Sequence, residues 1–327
     1  MFQGNSYASS PKLSICPTIT KRNSFGYSVR MLSLVELPEF AYNILKVRME
    51  GHFAMADKIT FPTPREHVLT SGNTTIGVIP EICLITHFQT GPWQVLYRPM
   101  QTGNVKRWGL PLMIPNFSRL NNGTFQEKGT RLPIHGFGRI LPWTTIEQDQ
   151  THIVIQLSNS KATFQEYPYE FTFIVNISVE EETLTYALTM ENHSNENMPI
   201  APGFHPYFTV AQSEKKNVTV EGLPEFAATA FDWVDHIPDN PYPFPHQVTV
   251  QVPESGTLIV KELPQNGLYA LANMQVWSEP PAKPDHDFIC FEPTVNSEDA
   301  LNRPADRLNI EQHSARQIVL QLQANPL

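Results

Sequence analysis

Two neighbouring segments in the middle of the chain alternate between apolar and polar residues. The apolar positions are Phe171, Phe173, Val175, Ile177 and Val179 in the first segment, and Leu184, Tyr186, Leu188 and Met190 in the second. A period of two puts all the apolar side chains on one face of a strand, so each segment is predicted to be a half-buried strand. The acidic residues 180–182 between them predict a turn, and together the segments predict an antiparallel hairpin.

Shorter runs rich in β-branched and aromatic residues predict further strands from Thr74 onward. They lie at 82–88, 93–97, 152–157, 217–221, 247–252, 257–262, 268–273, 288–291 and 316–323. Helical periodicity is scarce here; the main candidate is 298–308, which Pro304 interrupts. Many strands separated by turn residues, together with 29 prolines, predict an all-β fold built as a large antiparallel β-sandwich rather than βαβ units.

Residues 1–65 have a different composition from the rest of the chain. The first thirty-five residues contain no Asp or Glu and are rich in serine, with four basic side chains. This composition resembles an organelle transit peptide, while the favoured alternative is a poorly ordered leader or an upstream extension before a more natural start at Met55. Residues 36–49 could form one amphipathic helix. We therefore expect a leader at 1–65, disordered or partly helical, and a single β-sandwich domain at 66–327.

Composition and charge exclude several classes of function. The chain has 327 residues, 41% of them hydrophobic and 17% charged, which is enough apolar material for a folded core. The formal net charge is -9 and Lys and Arg form no dense run, which argues against binding to nucleic acid or acidic membranes. The chain contains no apolar stretch of about 18 residues and no glycine-rich nucleotide-binding motif.

The cysteines give a hint about the compartment. The chain has three, Cys16, Cys83 and Cys290, and they are scattered, without the spacing of a metal site. An odd number of dispersed cysteines favours a reducing compartment, so a cytoplasmic location is expected. Import into an organelle, directed by the leader, is the alternative.

Two titratable side chains have sequence surroundings that are typical of catalytic residues. His205 lies between Phe204 and Pro206, directly after a predicted strand, where a side chain can face a cleft. Glu292 follows the apolar run 288–291 and precedes Pro293, so it would leave a buried strand partly desolvated, which raises the pKa of a carboxyl group. The alternatives are a hydrogen-bonded core histidine and a solvated glutamate at a strand end.

A segment dense in Gly, Pro and Arg lies between the predicted hairpins. It carries Arg107, Arg119 and Arg139 together with Trp143. Guanidinium groups hold hydroxyls, carboxylates or phosphates, and an indole face suits the apolar face of a sugar ring. Ordinary solvated arginines are the alternative, but three in one rigid segment favour a ligand site.

The ordered set of these motifs resembles a known family. In chain order the motifs are Gly-Leu-Pro at 109–111, Pro-Asn-Phe-Ser-Arg at 115–119, His-Gly-Phe-Gly-Arg at 135–139 with Trp143, Phe-His-Pro-Tyr-Phe at 204–208 and Phe-Glu-Pro at 291–293. Each is weak alone, but the set resembles the aldose 1-epimerase (galactose mutarotase-like) family over about residues 74–323. Within that family the chain looks most similar to the glucose-6-phosphate 1-epimerase branch.

The resemblance implies a fold, a reaction and roles for particular residues. It implies a β-supersandwich that interconverts the α and β anomers of a hexose, or of a hexose 6-phosphate, without cofactor or metal. His205 matches the general acid of the family and Glu292 the general base. The residues matching sugar or phosphate contacts are Arg107, Arg119, His135, Arg139 and Asp232, with Asp235 as the fallback for Asp232. The expected partner is a small sugar or sugar phosphate, bound by a monomer or weak dimer.

The residue types also suit this chemistry on their own terms. Mutarotation removes a proton from the anomeric hydroxyl and delivers one to the ring oxygen, so one acid and one base suffice. Two alternatives remain at the level of the sequence. A non-catalytic carbohydrate-binding β-sandwich would not need His205 opposite Glu292. A glycoside hydrolase would need a second carboxyl group near Glu292, and the sequence offers no clear candidate.

Overall fold

Twenty-two strands account for most of the regular structure in residues 65–99 and 107–327, which are the residues that the computed structural model describes. In chain order they are β1 His67–Ser71, β2 Thr74–Ile79, β3 Leu84–Thr90, β4 Trp93–Gln94, β5 Leu110–Met113, β6 Thr124–Phe125, β7 Thr130–Arg131, β8 Thr144–Gln148, β9 His152–Ser158, β10 Phe171–Glu180, β11 Thr183–Asn192, β12 Met198–Ile200, β13 Gly203–Phe204, β14 Tyr207–Thr209, β15 Thr219–Glu221, β16 Asp239–Pro243, β17 Gln247–Val252, β18 Gly256–Leu263, β19 Asn273–Trp277, β20 Phe288–Thr294, β21 Leu308–Ile310 and β22 Ala315–Pro326. One short helix, α1 Lys161–Glu166, begins after the capping side chain of Ser160. The 3-10 turns are Pro80–Ile82, Asn121–Gly123, Lys215–Asn217, Ala228–Ala230 and Ala300–Asn302.

Two large sheets organise these strands. The first has ten strands, with the path β1-β2-β3-β5-β13-β20-β19-β16 and with β4 beside β3 and β14 beside β20. The second has eight, in the order β15-β17-β18-β22-β11-β10-β9-β8. Neighbouring strands run antiparallel in both sheets, for example β10 with β11 and β19 with β20. The all-β antiparallel fold class predicted from the sequence is therefore confirmed.

The hairpin of β10 and β11 confirms the alternation in the sequence. Its register pairs Phe171 with Asn192 at one end and Glu180 with Thr183 at the other. Every second side chain in both strands is buried; these are the apolar positions named above and, at the end of β11, Asn192. Glu182 takes a left-handed φ of 60° in the turn between the strands. The apolar faces of both strands therefore join one core.

The core joins the first sheet to the second. Tyr186 of β11 packs edge-on against Phe204 of β13, with ring centroids 5.0 Å apart. The hydroxyl of Tyr186 also lies 3.0 Å from the Sγ atom of Cys83, which precedes β3 in the first sheet. These contacts fix the residue immediately before His205, so the core holds the backbone at that position.

Strand β20 lies inside the first sheet and is buried along its whole length. Ile289 and Phe291 belong to the large core between the sheets. Phe288 and Cys290 belong to a separate small cluster with Tyr207. Because successive side chains of a strand point to opposite faces, Glu292 shares the second face and not the core face.

Two sequence predictions fail in this region. The predicted strand 268–273 is wrong, because β19 begins only at Asn273 and the carboxylate of Glu262 accepts hydrogen bonds from the backbone amides of residues 270 and 271. The predicted helix 298–308 is also wrong. Asp299 has a left-handed φ of 63°, only the 3-10 turn Ala300–Asn302 follows, and β21 starts at Leu308.

Several predictions concern residues that the structure does not describe. The transit-peptide and helix interpretations of residues 1–64 lie outside the described residues, as does the proposed start at Met55. The boundary between a leader and the β-sandwich domain thus stays a prediction. In the described parts of the chain, no helix has both the length and the apolar character needed to cross a membrane.

Candidate active site

Hydrogen bonds from the Gly-Leu-Pro motif hold the backbone around His205. The backbone amide of His205 donates to the carbonyl oxygen of Pro111 at 3.2 Å, and that of Tyr207 donates to Gly109 at 2.9 Å. The imidazole ring stacks on the ring of Tyr207, with centroids 4.5 Å apart and planes 7° from parallel. The Tyr207 hydroxyl lies 3.3 Å from Nε2 of His205. The imidazole is therefore held in one orientation.

The register of β20 brings Glu292 opposite this imidazole. Gly203 pairs with Thr294 and Tyr207 with Cys290, which places His205 level with Glu292. The Nδ1 atom of His205 is 3.5 Å from Oε1 of Glu292. The two residues are only 6% and 2% exposed, and Nδ1 has no hydrogen-bond partner among the described residues. Two side chains separated by 87 positions thus meet as a buried pair.

Burial changes the proton affinity of both members of this pair. It raises the pKa of Glu292 well above its ordinary value, and the charge of Asp239 adds to the effect while that of Arg139 opposes it. Burial lowers the pKa of His205 well below its ordinary value, and the electrostatic influence of His135 and of Arg139 lowers it further. In the unliganded protein the carboxyl group is therefore favoured over the imidazole as the holder of a shared proton.

His135 is the second histidine of the site. The backbone amide of Ser118 donates to its Nδ1 atom at 3.1 Å, so the neutral ring carries its proton on Nε2. Burial, followed by the charges of Arg139 and Arg119, lowers the pKa of His135 to about 3. Its ring centroid lies 5.5 Å from that of His205. His135 is therefore a neutral hydrogen-bond donor beside the buried pair.

The loop that carries His135 approaches another backbone segment closely. His135 and Gly136 both have left-handed φ angles, 63° and 65°. The amides of Phe137 and Gly138 both donate to the carbonyl oxygen of Ile114, at 2.9 and 3.0 Å. A Cβ atom at Gly136 would lie 2.1 Å from that same oxygen. Only glycine at this position allows the loop to present His135.

The three predicted arginines act electrostatically on the pair or on His135. Arg107 contacts the carboxylate of Glu279 at 2.8 Å, and its guanidinium carbon lies 5.7 Å from the ring centre of Trp277. Arg139 is half-buried, and burial lowers its own pKa. Arg119 is exposed and acts on the pKa of His135. Arg139 and Arg107 thus place positive charge near the acid and base candidates, and Arg119 places it near His135.

A buried lysine fixes the backbone of the residue whose carboxylate contacts Arg107. The Nζ atom of Lys215 donates to Ser278 Oγ at 3.0 Å, to the Glu279 carbonyl oxygen at 3.3 Å and to the His286 carbonyl oxygen at 2.5 Å. Burial lowers the pKa of Lys215 to about 8. These bonds fix the backbone of Glu279, whose carboxylate holds Arg107. Ser278 therefore contributes to the support of Arg107 through Lys215.

The aspartate predicted for the site is not joined to it by any contact of the described residues. Asp232 is exposed, and its Oδ1 atom accepts the backbone amides of Val234, Asp235 and His236, so this carboxylate closes its own turn. The fallback, Asp235, is exposed on the same turn. The role of Asp232 in sugar binding stays a prediction that this geometry does not favour.

Asp239 is the aspartate that acts on the pair. It begins β16, and its Oδ1 atom accepts a hydrogen bond from Gln275 Nε2 at 2.7 Å. Gln275 lies directly opposite Glu292 in the sheet, and the charge of Asp239 raises the pKa of Glu292. The exposed carboxylate of Asp239 thus stands beside the candidate base.

The tryptophan beside the pair also differs from the predicted one. Trp143 is buried, and its indole nitrogen donates to the Gly138 carbonyl oxygen at 2.6 Å, so it supports the His135 loop from inside. Trp277 at the end of β19 is half-buried and meets the ring of His205 edge-on at 5.8 Å. Trp277 therefore flanks the site, whereas Trp143 packs beneath it.

The site combines a buried acid–base pair, a neutral imidazole donor, three guanidinium groups and an exposed carboxylate.

Residues 111–252 match the family model described as aldose 1-epimerase. Two curated proteins, from Salmonella typhimurium and Escherichia coli, carry the description "Putative glucose-6-phosphate 1-epimerase" and are each 30% identical over 135 residues. Each alignment spans 40% of this chain and 41% of the relative's length.

Solved structures share the fold over most of the chain. A protein of Synechocystis has a TM-score of 0.69 at 21% identity, covering 84% of this chain and 100% of its own. A galactose mutarotase-like protein of Clostridium acetobutylicum has a TM-score of 0.67 at 15% identity, covering 83% and 98%. At these identities the likeness concerns the fold. The chain is therefore similar to aldose 1-epimerases in sequence over residues 111–252 and to galactose mutarotase-like proteins in fold.

Proposed function

We propose that this protein is an aldose 1-epimerase that interconverts the α and β anomers of a hexose by general acid–base ring opening. The observation that carries the proposal is the buried pair of His205 and Glu292, 3.5 Å apart and held by separate strands. The anomeric oxygen and the ring oxygen of a pyranose are bonded to the same carbon, so one compact acid–base pair can serve both.

The reaction needs two coupled proton transfers. Glu292, as carboxylate, takes the proton of the anomeric hydroxyl while His205, as imidazolium, protonates the ring oxygen. The bond from the anomeric carbon to the ring oxygen breaks, and the anomeric carbon becomes the carbonyl of an open-chain aldehyde. After rotation of the aldehyde group, the hydroxyl formed from the ring oxygen attacks the other face of the carbonyl, and both protons return. Each member of the pair therefore acts once as donor and once as acceptor.

Burial of the pair favours the open-chain intermediate. After ring opening His205 is neutral and Glu292 is protonated, and this is the distribution towards which burial shifts both pKa values. Before ring opening the pair consists of two opposite charges, which an environment poor in water solvates less well. The desolvated site thus lowers the energy of the transition state, in which these two charges are being neutralised, relative to the ionised pair with the closed sugar, and the rate depends on that difference.

Several side chains are suited to orient the sugar. His135 presents a neutral Nε2–H donor beside His205, and Asp239 presents an acceptor beside Glu292. Sugar hydroxyls both donate and accept hydrogen bonds, so this arrangement of donor and acceptor suits a polyhydroxylated ring. The edge of Trp277 limits the space on one side of the imidazole.

The arginines favour an anionic sugar as the preferred substrate. Arg107 and Arg139 place positive charge beside a pair that needs none for proton transfer, and Arg119 places it beside His135. Guanidinium groups bind phosphate through paired hydrogen bonds. We therefore propose a hexose 6-phosphate, in line with the description of the curated relatives. A cytoplasmic monomer or weak dimer stays the expectation from the sequence.

Exchange between anomers tests this function directly. Two-dimensional NMR exchange spectroscopy on glucose and on glucose 6-phosphate should show enzyme-dependent cross peaks between the anomers, stronger for the phosphorylated sugar. Binding without exchange above the buffer rate would instead indicate a non-catalytic carbohydrate-binding module. Equal rates for both sugars would contradict the proposed preference for a phosphorylated hexose but not the proposed epimerase activity.

Replacing Arg107 by alanine should separate the two substrates. A hydrogen bond to a charged group contributes about 1.5–3 kcal/mol, so we expect KM for glucose 6-phosphate to rise at least about 10-fold. The rate for unphosphorylated glucose should change little, because Arg107 does not contact the acid–base pair. Arg316→Ala on β22, in the other sheet, is the matched control. Equal loss for both sugars would mean that Arg107 maintains the site rather than binding phosphate.

The pH dependence of kcat/KM should show the effect of burial on the histidine. Protonation of both members of the pair leaves no acceptor, so activity falls on the acid side. Because burial and Arg139 lower the pKa of His205, this acid limb should lie below about 6.5, the ordinary imidazole value. Measuring kcat/KM from pH 4.5 to 8 at constant ionic strength checks this. An acid inflection at or above pH 6.5 would contradict the assignment.

A further inference from the structure

A cysteine lies beside the acid–base pair and has no part in the proposed reaction. One ligand atom from each of His205, Cys290 and Glu292 lies within 4.8 Å of the others. All three residues are buried, and Cys290 lies on the same face of β20 as Glu292. Among the described residues, this is the group of His, Cys, Asp and Glu side chains arranged closely enough to hold a metal ion.

We propose that His205, Cys290 and Glu292 form a Zn²⁺ site that inhibits the enzyme. Imidazole nitrogen, thiolate sulfur and carboxylate oxygen are the ligand types that zinc binds, and three protein ligands leave a fourth position open. The Nδ1 atom of His205 is buried without a hydrogen-bond partner in the described part of the chain, so it offers a free lone pair in one ring tautomer. Neutral imidazole is the form that coordinates metals.

The distances suit a tetrahedral ion after a small adjustment. Zinc bonds of about 2.0–2.2 Å to nitrogen and oxygen place those two ligands about 3.4 Å apart in a tetrahedron. The observed separation of His205 Nδ1 from Glu292 Oε1 is 3.5 Å. The sulfur, within 4.8 Å, needs to approach by about 1 Å, which a rotation of the cysteine side chain can supply.

Charge balance decides which ligands are indispensable. Arg139 lies close enough to shift the pKa of both His205 and Glu292, and its charge opposes the entry of a second cation. A thiolate and a carboxylate together neutralise Zn²⁺, whereas either alone leaves a net positive charge beside a guanidinium. Binding converts the Cys290 thiol to a thiolate and the protonated Glu292 carboxyl group to a carboxylate, and it releases both protons to the solvent. Loss of either anionic ligand should therefore be severe.

Inhibition follows from the identity of the ligands. The ion would occupy the lone pairs of His205 and Glu292 that the proposed proton transfers use, so bound zinc and productive sugar binding exclude each other. This inhibition rests on the proposed function, but the binding of metal does not. The site would take zinc even if the protein were not an epimerase, and the two ideas can therefore be tested apart.

Cobalt substitution tests the site without any assay of activity. Titrating the full chain with Co²⁺ should give a near-ultraviolet thiolate-to-cobalt charge-transfer band and visible bands of a tetrahedral ion, saturating at one ion per chain and removed by Zn²⁺. A Cys16→Ser, Cys83→Ser double variant leaves Cys290 as the remaining cysteine and should keep the band. Cys290→Ser and His205→Ala should lose it. No band in the wild-type protein, or a band that survives Cys290→Ser, would overturn the proposal.

Kinetics supply a second, independent readout. For each protein, the rate in Zn²⁺ is divided by the rate of the same protein in EDTA. Loss even of an outer partner of a metal ligand costs about 10- to 100-fold in affinity, so half-inhibition of Cys290→Ser should need at least about 100-fold more Zn²⁺. Saturating sugar should displace the metal from the wild-type protein. Metal that stays bound under saturating sugar would place the ion elsewhere and overturn the proposal.

Discussion

Replacing His205 by alanine, or Glu292 by glutamine, is expected to reduce kcat/KM for anomer exchange at least about 100-fold. A positioned acid or base typically contributes about 10²- to 10⁴-fold, and each substitution removes one partner of a coupled transfer. The double variant should be little slower than either single variant, because the remaining member has no partner with which to exchange its proton. Exchange spectroscopy at substrate concentrations well below KM measures this ratio.

Two exposed residues of the same types provide matched controls. His313→Ala and Glu221→Gln make the same chemical changes on exposed residues, and both should keep the wild-type rate. Far-ultraviolet circular dichroism and the thermal midpoint show whether His205→Ala and Glu292→Gln remain folded. Folded variants with rates within about threefold of the wild type would reject the assignment of the pair, since even the smallest general acid–base contributions exceed that ratio.

The second large effect is expected on stability. Gly136→Ala should lower the free energy of unfolding by at least about 3 kcal/mol, within the range reached when a special backbone geometry is lost. The new Cβ would stand 2.1 Å from the carbonyl oxygen of Ile114 and 2.4 Å from its carbon, and both are backbone atoms that cannot swing aside. Urea denaturation with linear extrapolation gives the value.

A second glycine separates the clash from the cost of the backbone angle. Gly129 has a φ of 66°, close to the 65° of Gly136, but nothing lies within 4 Å of a Cβ placed there. Gly129→Ala should therefore cost only the left-handed penalty, about 1–2 kcal/mol. If both substitutions lower the free energy of unfolding equally, the contact with Ile114 would not affect stability, and the account of the His135 loop would be wrong.

The sequence predicts the regular parts of this fold well, because burial there is periodic. In β10 and β11 one face is buried and the other is not, so composition alternates and the boundaries follow from it. Residues 268–273 look similar, but their backbone amides donate to the carboxylate of Glu262, a side-chain contact that periodicity does not reveal. The strand prediction failed there because local pattern and tertiary contact disagree.

Some residues of the site could be predicted from their neighbours in the sequence, and others could not. His205 and Glu292 were recognisable because each is a titratable side chain next to apolar residues at a predicted strand end, although β20 continues past Glu292 to Thr294. Asp239 was missed because β16 contains two prolines, which weaken any strand prediction, and an edge strand is where prolines are tolerated. Asp232 was preferred because nothing in a loop sequence shows that its carboxylate closes its own turn.

The odd-numbered and even-numbered side chains in the middle of β20 face opposite sides of the sheet. Ile289 and Phe291 fill the core, while Cys290 and Glu292 face the site from the same seven residues. Deleting or inserting one residue within this strand would reverse the two sets, driving a carboxyl group into the hydrophobic interior and a phenyl ring into the cleft. The segment can therefore accept changes in side-chain chemistry far more readily than any change in length.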